Sequence, residues 1–252
     1  MNKIILLLLV FFPFTLICQS SDSVSITPVK TDTIKTVKAD TNKCKKLEIG
    51  FSFSPDYSFR TLKPDDSGKW IGDGRDTLEI PKFGYTVGVF LNYKLNTKIK
   101  IETGIFFSDK GERTKKYALE NTVAGQEPVK YAFNDHYYYL DIPLKADYYI
   151  LTGKLKLYVT AGVTADIFLA QKTTAFVIYN NSQTRTNTMV HPDLSKVNFG
   201  MIAGCGINYP LSQKINLKVE PVYRRSLTSI INAPVKTYLY SAGINIGIYR
   251  TL

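Results

Sequence analysis

Eight times between Leu47 and Leu252, apolar residues recur at every second position, and a run of that period is an extended strand with one apolar face. The first run is Leu47, Ile49, Phe51, Phe53, Tyr57, Phe59, alternating with Glu48, Gly50, Ser52, Ser54, Asp56 and Arg60. Others follow at Phe83–Tyr93, Ile99–Phe107, Tyr138–Tyr148, Leu155–Ile167, Val197–Tyr209, Ile215–Tyr223 and Tyr238–Ile248. A chain of 252 residues with 17 Tyr and 14 Phe against one Trp suits pleated surfaces rather than helices. Pro143 and Pro221 each remove a ladder donor inside a run, which predicts a bulge or an early end to pairing there.

The connections alternate in length. Asn96-Thr97, Thr152-Gly153 and Leu211-Ser212-Gln213 centre short turns, whereas about 22, 28, 26 and 12 residues separate the other pairs. Short turns at one end and long loops at the other are the arrangement of a membrane-spanning barrel with an even strand count, which leaves both chain ends on the short-turn side.

Alternation alone does not say which face is buried, since a soluble barrel has the same period. Residue type decides it. The polar parity gathers charges such as Glu102, Asp141, Lys145, Lys218, Glu220 and Arg224 together with ten glycines, which suits a crowded interior. The apolar parity places Tyr57, Phe83, Tyr93, Tyr138, Tyr148, Phe199, Tyr209 and Tyr238 near strand ends and Val, Ile, Leu and Ala between them, an aromatic girdle at two interfaces. The expected fold is all-β: an eight-stranded antiparallel transmembrane β-barrel with short periplasmic turns and long extracellular loops, in the outer membrane with its lipid as the first partner. Strands of about 9–11 tilted residues suffice to cross.

Ahead of the barrel, residues 1–18 carry Lys3 and then the apolar run Ile4–Ile17, too short to cross a bilayer as a helix. They read as a signal peptide, cleaved after Cys18 or Ser20. Lipid attachment at Cys18 is disfavoured by Ile17 before it. Residues 19–45 hold no aromatic and no period that could bury a face, and read as a flexible periplasmic linker. Residues 46–252 are the barrel, with N- and C-termini in the periplasm.

The segment Tyr139-Leu140-Asp141-Ile142-Pro143-Leu144 followed by Tyr148-Tyr149 resembles the strand Y-L-D/E-I-P-L of the PorT-like outer-membrane β-barrel family. Glu220-Pro221-Val222-Tyr223-Arg224 and Gly243-Ile244-Asn245-Ile246-Gly247 are similar to that family too, and the resemblance covers residues 46–252. Leu252 departs from it, since such barrels usually end in an aromatic. The family shares no reaction. What the resemblance implies is a barrel of this type, some of whose members help export proteins across the outer membrane.

Little chemistry is written in the chain. Its +11 formal charge is dispersed, which argues against nucleic-acid binding. Cys18, Cys44 and Cys205 show no metal-type spacing, and the two histidines lie 55 residues apart, so neither a metal nor another cofactor is expected. A barrel hydrolase needs a histidine with a nucleophile and an acid. His136, read on the inward parity, and His191, in a long loop, have no nucleophile signature around them. Eight strands enclose a lumen that side chains fill, which argues against a solute pore. The expected lumen feature is a buried ionic network of Glu102, Asp141, Lys145, Lys218, Glu220 and Arg224.

Specific function belongs to the long loops. In the first, Lys63–Ile80, Trp70 stands among Asp65, Asp66, Asp73 and Asp76; it either contacts a partner or packs on its own barrel. The expected role is non-enzymatic, structural or interaction-based. The alternative is an accessory of protein export or envelope assembly, with envelope or export-system proteins as partners. A small-solute pore or a barrel hydrolase comes last.

Overall fold

The computed structural model describes residues 47–118, 130–178, 182–190 and 194–252. The expected leader and linker lie outside them. In chain order the elements are β1 (Leu47–Pro64), α1 (Lys69–Leu78), β2 (Glu79–Lys94), β3 (Ile99–Thr114), β4 (Tyr117–Ala118), β5 (Lys130–Thr152), β6 (Lys156–Ile178), β7 (Gln183–Val190), β8 (Val197–Pro210), β9 (Ile215–Ser226) and β10 (Val235–Thr251). The wall runs β5-β3-β2-β1-β10-β9-β8-β6, every neighbour antiparallel, and pairing of β5 with β6 closes it into a ring of eight. The two remaining strands, β4 and β7, extend the wall above the ring by pairing with β5 and β6.

Lateral partners define the stagger. From Glu48 on β1 the ladder steps through Asn92, Glu102, Lys145, Gly162, Ile202, Arg224 and Ser241 and returns to β1 at Ser58, ten residues above its start. An eight-stranded wall with such a stagger has its strands tilted by roughly 35–45°, and side chains fill its interior.

The apolar parity is the outer one. Phe51, Ile105, Leu144, Val163 and Phe199, on five different strands, are each more than half exposed, while Ser52, Ser58, Glu102 and Glu220 of the opposite parity are at most 1% exposed. So much apolar surface around a whole wall suits hydrocarbon and not water. On β2, β5 and β8 it is bracketed by aromatics ten residues apart: Phe83 and Tyr93, Tyr138 and Tyr148, Phe199 and Tyr209. Closure leaves no strand edge unpaired in that layer.

Neither proline produces a bulge or ends its strand. Pro143 pairs with Thr164 of β6, and toward β3 the ladder lapses only between Thr103 and Phe106, with its register unchanged. The carbonyl of Pro143 accepts instead from Thr103 Oγ1 at 2.9 Å. Pro221 pairs with Ile244, and its other ladder lapses between Gly204 and Ile207 of β8 in the same way. Register shifts fall elsewhere: at Pro81, where the β2–β3 register shifts before Tyr85, and between β5 and β6 at Tyr138/Tyr139 and at Tyr149/Leu151.

Strand length departs most from expectation. Several strands run far past the aromatic girdle, β5 and β6 to 23 residues each. Segments read as loops, including Lys130–Asp135 and Thr173–Ile178, are wall. Tyr131, Phe133, Phe176, Val177 and Ile178 are residues that favour a pleated surface, and their pairing continues the ladder upward. Gly111 permits β3 to make this climb: its φ is 137°, and a Cβ there would strike the carbonyl of Asp135.

Candidate functional site

The lower lumen holds a closed ring of alternating charge. Glu102 lies 2.6 Å from Lys145 and 2.5 Å from Lys218; Glu220 lies 3.0 Å from Lys145 and 2.9 Å from Lys218. All four side chains are at most 5% exposed. Asp147 joins at 3.8 Å from Lys218, and Tyr158 donates its hydroxyl proton to Glu220 at 2.7 Å. Aromatic faces complete the packing: Lys218 Nζ is 5.5 Å from the centre of the Phe90 ring and 5.4 Å from that of Tyr158. Gly206 gives Tyr158 its room, since a Cβ there would occupy the phenol. Below the ring, Lys100 is held by Glu48 at 2.7 Å.

Above it stand two further groups. Lys110 lies 2.8 Å from Asp166 and 3.2 Å from Asp141. Arg224 reaches Asp56 at 2.9 Å, and Asp56 also accepts from Ser54 and Thr86. Between these groups and the ring is a cavity of about 20 Å³ lined by Glu102, Lys110, Asp141, Lys145 and Arg224, enough for about one water molecule. Higher still, Ile230 folds inward from the β9–β10 loop onto Tyr137, Tyr139 and Leu239 and forms a small apolar stopper.

At the long-loop mouth α1 is bound to the rim. Arg60 pairs with Asp76 and with Glu79, the latter at 2.5 Å, and Arg75 holds Glu79 at 2.6 Å and Glu112 at 3.5 Å. Gly72 rests on Pro64. Ahead of the helix, the Ser67 hydroxyl and the Gly68 amide hold the Asp65 carboxyl below its usual range. Glu112, five residues beyond Phe107 on β3, sits above the spanning layer. Burial first, then the charges of Glu79 and Asp135, push its carboxyl up to about 8. Trp70, on the free side of α1, is 75% exposed and does not pack on the barrel.

His136 lies on the outer face and not the inner, in register with Tyr138 two residues on, against which its ring stacks at 6.1 Å. Its Nδ1 is 2.8 Å from Asp109 Oδ2 and 2.6 Å from Lys82 Nζ, and Lys82 is 2.7 Å from Asp109. One ring nitrogen cannot both donate to the carboxylate and accept from the ammonium, so in either tautomer only one of these two contacts of Nδ1 is a hydrogen bond. It fills the gap that the Pro81 irregularity opens between β2 and β3. No hydroxyl or thiol among the described residues hydrogen-bonds to His136.

The family described as Outer membrane protein beta-barrel domain matches residues 25–232. The chain belongs to that family. Its fold is similar to that of Neisserial surface protein A (12% identity, 82% of this chain and 97% of that one, TM-score 0.45) and of OprG from Pseudomonas aeruginosa (15%, 81% and 95%, 0.42). It is also similar to the outer membrane protease OmpT from Escherichia coli (8%, 82% and 97%, 0.41). These superpositions are loose, and the assignment rests on the family and on the strand pairing. No curated protein matches the sequence.

In this outer-membrane barrel the six lumen residues picked out from sequence fall into three groups. Glu102, Lys145, Lys218 and Glu220 share one ring, Asp141 belongs with Lys110, and Arg224 belongs with Asp56. Asp147 and Asp166 carried the inward parity and could have been found by it. Lys110 could not, because it stood at the start of what read as a loop. Asp109 and Lys82 were missed for a different reason: they meet His136 only through the β2–β3 irregularity, which sequence spacing does not show.

Proposed function

We propose that this outer-membrane barrel is a closed, non-enzymatic anchor that presents its extracellular crown to a partner, and that the lumen network keeps it closed. One observation carries the reading: ion pairs, aromatic rings and the Ile230 stopper cross the lumen at successive heights and leave about 20 Å³ in its middle. A barrel so filled has its outside to work with. The most exposed large side chain of the crown's helix is Trp70, a residue type that anchors interfaces, on a helix tied down by Arg60 and Arg75. In this reading residues 1–18 are a signal peptide, residues 19–45 a periplasmic linker, and both termini lie in the periplasm on the short-turn side.

Planar-bilayer recording and crosslinking test it together. The purified barrel is expected to be electrically silent, and a photo-crosslinker placed at position 70 is expected to capture an envelope or extracellular protein in whole cells. Reproducible conductance steps, or capture no different from that at exposed Lys214, would refute the anchor reading.

A PorT-like accessory role in export or envelope assembly is the second reading. What favours it is the resemblance of Tyr139–Leu144 to the Y-L-D/E-I-P-L strand of the PorT-like barrels. Deleting residues 21–44 separates the two: an export defect with normal barrel insertion supports the accessory role, and normal export removes it.

A further inference from the structure

The extended wall of β3, β5, β6 and β7 has an outer face of its own, continuous with the lipid-facing surface below. Pairing assigns that face row by row. Above Tyr138 come His136 and Lys172, then Arg113, Asn134 and Thr174, then Ala132, Phe176 and Arg185. With a rise of about 3.3 Å per residue and the tilt of the wall, these rows stand roughly 5, 10 and 15 Å above the aromatic girdle. Lys115 and Lys116 follow Arg113 at the end of β3 and are exposed, as are Arg113 and Arg185.

Charge is sorted across this wall. Among the described residues the acids of the extension are Asp109, Glu112 and Asp135. Asp109 is buried and neutralised by Lys82. Glu112 and Asp135 are paired with each other in register and turn to the inner side, where Arg75, Tyr137 and Thr173 meet them. The outer face therefore keeps the cations and none of the free carboxylates. It is also concave: a groove of about 470 Å³ is floored by Ala132, Phe176 and Ile178 and edged by Arg113, Lys115 and Lys116. Two of the cations are held in place, Arg113 by donating to the Pro81 carbonyl at 3.1 Å and Lys115 to that of Thr77 at 2.9 Å. Arg185 lies over the Phe176 ring at 5.8 Å.

We propose that this groove binds the phosphorylated, acidic-sugar headgroup of a glycolipid in the outer leaflet. Three features select that occupant. The groove begins roughly 10 Å above the girdle, with Lys172 on the row between, so the extended headgroup of a lipid lying against β3, β5 and β6 reaches this height. The phosphates and sugar carboxylates meet Lys172, Arg113, Lys115 and Lys116 in ascending order. Apolar and aromatic floor residues offer a face on which sugar rings pack. The inference rests on the outer-membrane location and not on the role given to Trp70.

The test uses the full folded barrel in detergent micelles, with purified rough-type lipopolysaccharide as probe and its dephosphorylated form and soluble dextran sulfate as comparisons. The native protein is expected to bind the phosphorylated glycolipid at least about tenfold more tightly than either. The triple reversal R113E/K115E/K116E is expected to lose that margin while keeping its heat-modifiable folded band; if the band is lost, R113Q/K116Q takes its place. Trp70→Ala and the periplasmic-end reversal K214E/R250E should bind as the native protein does. Unchanged binding by the groove variant overturns the proposal. So does an equal loss in K214E/R250E, which would reduce the effect to net charge, and so does equally tight binding of dextran sulfate, which would make the ligand a free polyanion.

Discussion

The lower lumen and the outer side of the long-loop crown are built from the same kind of ion pair, yet the environment gives those pairs opposite weight. In the ring of Glu102, Lys145, Lys218 and Glu220 no side chain is more than 5% exposed, so each charge has given up its water and depends on its partners. In the crown, Lys69 and Asp66 meet at 2.9 Å with 68% and 99% of their side chains exposed, an arrangement worth at most about 1 kcal/mol. Arg75 and Glu79 lie between these extremes. Identical chemistry thus serves as structure where it is dry and as a solvated surface where it is wet. Dry pairs extend past the aromatic girdle to Arg60 and Glu79, 1% and 11% exposed, and the wet ones begin on the free side of α1.

The sharpest way to break that contrast is at Lys218, which meets Glu102, Glu220 and Asp147. Lys218→Met leaves three buried carboxylates to Lys145 alone, and a loss of about 3–5 kcal/mol is expected in urea unfolding from micelles. Lys145→Met should act in the same direction and less strongly, because Lys218 still spans both glutamates. Its readout is a lower temperature for loss of the compact band in a gel-shift assay, and an unchanged temperature would argue that the ring is not what keeps the lumen rigid.

The crown answers to pH. Glu112 ionises near 4.5 as a free side chain but only at about 8 when folded, so the unfolded state releases its proton first. Stability of the crown is therefore full below about 4.5 and falls as pH climbs toward about 8. Amide exchange of α1 and the tip of β3, corrected for intrinsic rates, should be faster at pH 9 than at pH 6, with the lower barrel unmoved. Glu112→Gln should abolish the difference. The smallest effect belongs to Trp70→Ala, which should change stability by less than about 0.5 kcal/mol while removing partner capture. A larger loss of stability would mean that Trp70 packs against something after all.

What could be read from the sequence changes at the aromatic girdle. Within the lipid layer, alternation is enforced on both faces, by hydrocarbon outside and by a narrow charged interior, so strand count, register parity and the inward charges were visible in the residues. Above the girdle that constraint relaxes. The upper stretches of β5 and β6 carry residues such as Asn134, Asp135, Thr173 and Thr174, polar enough to read as loop, yet they pair as strand because their neighbours continue the ladder. The ring partners were legible as parity, whereas the pairing of Lys110 with Asp166, or Lys82 with Asp109, depends on how far β3 climbs and where β2 slips past it.

The seam between β1 and β10 has a consequence for assembly. At that seam Asp56 stands opposite Gly243, and any Cβ at that position would collide with the carboxylate that Arg224 holds from β9. A closing step slipped by one residue would turn Ile244 and Ile246 toward the charges. A slip by two would set Ser241 or Asn245 where only a hydrogen atom fits. The last two edges to meet can therefore latch in a single alignment, and a wall brought together out of step stays ajar until it finds that alignment.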